Sequence, residues 1–291
     1  MPTARAEQEA RGGAARQRRS KRWTTGSLVV AALVVGLIAT TAGAAAAYYG
    51  FRVRGGGGGN ALVQCDGGMT RLSHVFDENA SVFPGDPPPE IEVVFTVPQD
   101  GFLVEEVKTG THTGTHIDAP IHFIDGGRSI DVLEAEELVW PAYVIDVRER
   151  MAREGPNFQL SSDDIRRYER EVGRVPRGAM VIIQTGFDAK FGTAAYLDDV
   201  PGFSGEAVQW LFDRRQISGV GSETFGPDAS NDPNFDATFT ALANDGVALP
   251  GLNNVDSLNR NGDIIITGAV RLADGSGYQV DPLACHSRRR R

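Results

Sequence analysis

His112-Thr-Gly-Thr-His116-Ile-Asp118-Ala-Pro-Ile-His122 decides how this chain is read: it holds three of the five histidines of the 291-residue sequence, with an aspartate among them. Packing does not explain such density in a segment of Gly, Thr and Pro. Neutral imidazole and carboxylate together suit Zn²⁺, Mn²⁺ or Fe²⁺, and no cysteine lies nearby to close a purely structural zinc site. Thr113-Gly114-Thr115 keeps side chains small where the backbone must turn. Such a turn lets His112 and His116 converge, and Asp118 shares a side with His116 if the segment is extended. Two histidines and one carboxylate leave coordination positions open for water and substrate. His122 then stands free to act as an acid or base.

Working outward, short apolar runs rich in β-branched residues predict strands at Ile91–Val97, Phe102–Val107, Ala142–Val147, Met180–Thr185 and Ile264–Thr267. Ser161 precedes a charged helix that runs to Val172 and stops at Gly173, and Ser204 starts a second helix through Arg215. Residues 226–236, with Gly, Pro, Asn and three Asp, read as a solvated acidic loop. The class is mixed α/β with more strand than helix.

The N-terminal part reads differently. Residues 1–25 are polar and basic, with seven Lys or Arg against two acids in the first 22, and residues 26–49 carry no charge. As a helix at ~1.5 Å per residue, 26–49 is long enough to cross a bilayer. It exceeds the ~7–15 residues of a usual signal core, which favours an uncleaved signal anchor over a signal processed near Ala42–Ala47. Arg18-Arg19 does not complete a twin-arginine signal, and Leu62-Val-Gln-Cys65 is a poor lipobox. Residues 50–64 form a glycine-rich linker, 65–287 the globular domain and 288–291 a basic tail. The basic flank is expected to stay in the cytoplasm, which places the domain outside the cell membrane, anchored or released after cleavage.

The whole chain carries a net charge of −9, although its two ends are basic. A domain that acidic is not expected to bind nucleic acid. Cys65 and Cys285, the only cysteines, lie at opposite ends of the domain. They are expected either to pair in an oxidising compartment or to remain two free thiols.

The His112–His122 segment resembles the signature of the cyclase family of metal-dependent hydrolases, which includes bacterial kynurenine formamidase and isatin hydrolase. Leu72-Ser-His74, Phe83-Pro-Gly-Asp86, His122-Phe-Ile-Asp-Gly-Gly127, Pro141–Asp146, Thr185-Gly186 and Pro201–Ser204 follow in the family's order. The resemblance runs from about residue 70 to 270. It implies a swivelling β/β/α domain, a homodimer or homotetramer, and hydrolysis of a C–N amide bond in a small, often aromatic substrate. It implies one divalent metal, Zn or Mn, on His112, His116 and Asp118, with His122 as the catalytic acid or base and Phe83 lining the substrate pocket. Two-metal members carry a further His and Glu where this chain has Thr238 and Pro250. A mononuclear, arylformamidase-like enzyme is therefore expected. The alternatives are a decayed, membrane-anchored pseudoenzyme that binds metal or a small molecule, and an interaction module without metal. Glu223, Asp228, Asp232 and Asp236 are nearby candidates for a substitute oxygen ligand.

Overall fold

A computed structural model describes residues 65–287. The predicted membrane segment 26–49, its basic flank, the linker 50–64 and the basic tail 288–291 lie outside the described residues. No helix among the described residues is long and apolar enough to cross a membrane.

Among the described residues there are thirteen strands: β1 Met69–Arg71, β2 Glu90–Phe95, β3 Val104–Lys108, β4 His116–Asp118, β5 Val139–Asp146, β6 Gln159–Leu160, β7 Met180–Gln184, β8 Gly202–Phe203, β9 Gly219–Ser222, β10 Val247–Leu249, β11 Asn261–Ile266, β12 Gly277–Gln279 and β13 Leu283–Cys285. Nine of them form one sheet in the order β1-β13-β11-β5-β7-β9-β10-β4-β12. Its centre, β5-β7-β9-β10, is parallel, and the strands on both flanks run antiparallel. Central parallel strands are covered on both faces, which explains the unbroken apolar run Met180-Val-Ile-Ile183. Met180 and Ile182 face one core with Leu72, Ile117, Trp140 and Leu249. Val181 and Ile183 face the other with Tyr143, Ile165, Phe203 and Leu211.

The helices are α1 Val97–Asp100, α2 Arg148–Glu154, α3 Ser162–Val172, α4 Gly205–Arg215 and α5 Asp236–Ala243. Both predicted caps are present. The Ser161 hydroxyl accepts from the Asp164 N–H while the Asp164 carboxylate accepts from the Ser161 N–H, and Ser204 accepts from the Ala207 N–H. Ile165, Ala207, Val208 and Leu211 turn inward onto the second core.

The predicted strands at 91–97 and 102–107 pair as a hairpin, β2–β3, outside the main sheet. No residue of either strand is buried. Val93, Val94, Phe95, Phe102, Leu103, Val104 and Val107 are all exposed on it. Cys65 and Cys285 are joined in a disulfide, which resolves that alternative in favour of pairing. The bond ties the start of the domain to β13, beside β1.

Candidate metal centre

The signature segment enters β4 beside the carboxyl end of β10, where the His116 N–H donates to the Pro250 carbonyl at 3.3 Å. Ligand sites of open α/β sheets gather at the carboxyl ends of the parallel strands. Two glycines make the corner possible. A Cβ on Gly277 of β12 would stand 2.7 Å from His112 Cε1, and one on Gly251 would stand 2.6 Å from the Gly114 carbonyl oxygen. The polar side chains His116 and Asp118 are therefore buried on a strand that the pattern of apolar residues does not reveal.

Asp118 is the centre of the cluster. Its Oδ1 lies 2.7 Å from His112 Nδ1 and 3.2 Å from His116 Nε2. His116 Nδ1 donates to the Gly114 carbonyl at 2.8 Å, which turns Nε2 toward Asp118. His112 Nε2 lies 2.8 Å from the Ser276 hydroxyl. The His122 ring stacks on that of His112, centroids 3.8 Å apart. His112, Asp118 and His122 each offer a ligand atom within 4.8 Å of the others. All four residues singled out in the sequence thus come together.

Electrostatics sorts them. Burial alone would raise the Asp118 pKa, but His116 and His112 hold it far below the usual carboxylate range. Burial would lower that of His116, yet the Asp118 carboxylate overrides it and raises it. The His122 pKa is lowered, chiefly by burial and against the pull of Asp118.

The donor set fits a divalent metal. Ring nitrogens and a carboxylate oxygen converge, and the far nitrogens of His112 and His116 are each held by a hydroxyl or a carbonyl, as is usual for metal-ligating histidines. A metal here would displace the proton shared between His116 and Asp118.

Thr238 and Pro250 do not extend this set. The Thr238 hydroxyl donates to Asp228, and Pro250 contributes its backbone carbonyl to His116. The acidic loop departs from the sequence reading. Glu223, Asp228 and Asp232 are buried rather than solvated. Asp228 accepts from the N–H groups of Ala237 and Thr238 at the start of α5. Asp232 accepts from those of Asn234 and Asp236. Glu223 accepts from Thr185 and Gly186. These carboxylates satisfy backbone donors, and only Asp236 is exposed.

Phe83 packs edge-on against Phe225, at 5.8 Å, and Phe235, at 5.9 Å. Phe235 meets Phe123 at 6.1 Å, and Phe123 meets His122 at 4.8 Å. The predicted pocket residue thus belongs to an aromatic series, Phe225, Phe83, Phe235 and Phe123, that reaches the cluster at His122. Sequence reading missed Phe123, Phe225, Phe235, Ser276 and Gly277. Asp274-Gly-Ser-Gly277 looks like an ordinary turn, and nothing local marks the phenylalanines.

A family model described as "Putative cyclase" matches residues 70–229. The chain is 31% identical to isatin hydrolase of Roseibium aggregatum over 68% of its own length and 81% of that protein. It is 38% identical to kynurenine formamidase of Bacillus cereus over 26% of this chain and 37% of the formamidase. Among solved structures, an isatin hydrolase bound to the product analogue thioisatinate superposes with a TM-score of 0.68 and 29% identity, covering 74% of this chain and 91% of the other. On a match of that extent the chain belongs to the cyclase family, as a hydrolase of its amide-cleaving kind.

Proposed function

We propose that this protein hydrolyses the C–N bond of a small cyclic or N-formyl amide at a mononuclear centre, with Zn²⁺ or Mn²⁺ held by His112, His116 and Asp118. The observation that carries the reading is that Asp118 draws His112 and His116 onto one oxygen, with His122 in ligand reach of His112 and Asp118, at the end of a phenylalanine series. When bound, the metal supplies water of lowered pKa and polarises the amide carbonyl. Asp118 stays ionised, and Gly114 and Ser276 fix the rings of His116 and His112. His122, its pKa lowered, is neutral near pH 7. It takes a proton from the attacking water and passes it to the departing nitrogen. Phe83 walls the substrate side. The engagement of Thr238 and Pro250 elsewhere favours one metal over two.

The test uses the full chain in detergent with Zn²⁺ or Mn²⁺ and two substrates, isatin and N-formylkynurenine. About one metal per chain and turnover of either substrate are expected, with His122→Ala keeping the metal and losing turnover. Turnover unchanged in His122→Ala would remove that residue from the mechanism.

Two further parts of the reading concern location and assembly. We place the domain outside the cytoplasm, anchored by residues 26–49 or released after cleavage. The Cys65–Cys285 disulfide supports this, because such bonds persist in oxidising compartments. We assign the exposed apolar hairpin β2–β3 to a contact between copies in a homodimer or homotetramer. An isolated two-stranded hairpin is marginal in water without a covering surface, and this one buries no residue of its strands. Light scattering should give a multiple of the protomer mass, and Val93→Asp with Phe102→Asp should reduce it to one protomer.

A further inference from the structure

Phe235 has a left-handed backbone, φ 57° and ψ 44°. A bulky side chain adopts that region only under compulsion. Two buried acids supply it. Asp232 accepts from the N–H groups on either side of Phe235, those of Asn234 at 3.1 Å and Asp236 at 2.8 Å. Asp228 then accepts from the next two, Ala237 at 2.8 Å and Thr238 at 3.0 Å. The turn is determined by four hydrogen bonds that owe nothing to the ring. The ring itself is left 37% exposed. It stands edge-on to both Phe83 and Phe123, and Phe123 touches His122. A glycine would serve this backbone better, so the ring answers no need of the turn itself.

We infer that Phe235 is a specificity-determining residue, presenting its ring with those of Phe83 and Phe123 as one wall that selects a planar, aromatic substrate beside His122. This rests on the amide-hydrolase reading above. Asp232 and Asp228 act as positioning residues for it.

The test compares the metal-loaded full chain with Phe235→Gly and Phe235→Leu, using isatin for turnover and thioisatinate for equilibrium binding. Glycine accepts the left-handed conformation, so Phe235→Gly should melt within about 4 °C of the parent. Its KM for isatin should rise about fivefold to tenfold, the scale of one or two lost aromatic contacts. The kcat should change less than about threefold, because no reacting atom is touched. Phe235→Leu should fall between the two. Thioisatinate binding should weaken by the same factor as KM rises. Equal KM and equal thioisatinate affinity in parent and Phe235→Gly would overturn the inference. A parent that turns over neither isatin nor N-formylkynurenine would overturn the functional reading instead. Thioisatinate affinity would then decide on Phe235 alone: a weakened variant would uphold the wall, and equal affinity, or no binding to the parent, would overturn it.

Discussion

Two buried aspartates in this domain face histidines, and their surroundings set them to different tasks. Asp263 accepts from His286 Nδ1 at 2.9 Å, from the backbone and side-chain amides of Asn259, and from the backbone and hydroxyl of Ser287. The other nitrogen of His286 is taken by Thr70. Every lone pair is used, and the group works as a latch between β11, β1 and the end of β13. Asp118 meets His112 and His116 through one oxygen. The His122 ring stacked on His112 meets Phe123, the inner end of the phenylalanine series. The same pair of residue types is structural where its hydrogen bonds are saturated and available for chemistry where they are not.

The largest expected effect separates these tasks. Asp118→Asn should lower metal content and turnover at least about 100-fold, more than the loss of an orienting partner would cost, while the melting temperature stays near the parent's. Plasma mass spectrometry and a turnover assay check it, and metal retained at the parent level breaks the comparison. Next comes the closure of the latch region. Cys65→Ser should destabilise the domain by roughly 2–5 kcal/mol, since the disulfide spans a long loop, with metal content unchanged. Asp263→Asn should cost about 2–3 kcal/mol in urea unfolding, because several buried donors lose a charged acceptor. Loss of metal in that variant would mean that the two regions are coupled.

A third buried acid sharpens the contrast. Glu223 is held by the N–H groups of Thr185 and Gly186 and by the Thr185 hydroxyl. Burial prevails there over the hydrogen bonds from Thr185 and Gly186, raising its pKa from 4.5 to about 7. The Asp263 pKa is lowered, because the donors from His286, Asn259 and Ser287 outweigh burial. The signs follow from proton counting. Glu223 binds its proton more tightly when folded, so its contribution is full below about pH 4.5 and is lost as pH rises toward 7. Asp263 contributes above its unfolded value near 3.8 and loses that contribution as pH falls below it. Urea unfolding between pH 5 and 7 should show the first effect, on the order of 3 kcal/mol at most. Glu223→Gln should flatten it.

What could be read in the sequence was what local chemistry dictates. The spacing of His112, His116, Asp118 and His122 announced the site, and the β-branched runs at 142–147 and 180–185 announced the central strands. Ser161 and Ser204 marked their helices because their caps lie within three residues. The helix Asp236–Ala243 escaped because its N–H groups are satisfied by Asp228, eight or more residues upstream, and because the residue before it is a left-handed phenylalanine. The acidic loop was read as solvated for the same reason. Its carboxylates look like surface charge until the fold brings backbone donors to them. Strand β4 escaped because its outer residues, His116 and Asp118, are polar and yet buried, which no periodicity of apolar residues expresses. The phenylalanines at 83, 123, 225 and 235 come from four separate segments, and only the fold makes them neighbours.

The disulfide between Cys65 and Cys285 has one consequence for the chain as a covalent object. With a sequence separation of 220 residues, nearly the whole domain is threaded on a single closed ring. A protease that cuts any surface loop inside that ring opens it without releasing either piece. Nicked protein should keep one mass until a reductant is added and then part into two, so the state of that bond can be followed on a gel.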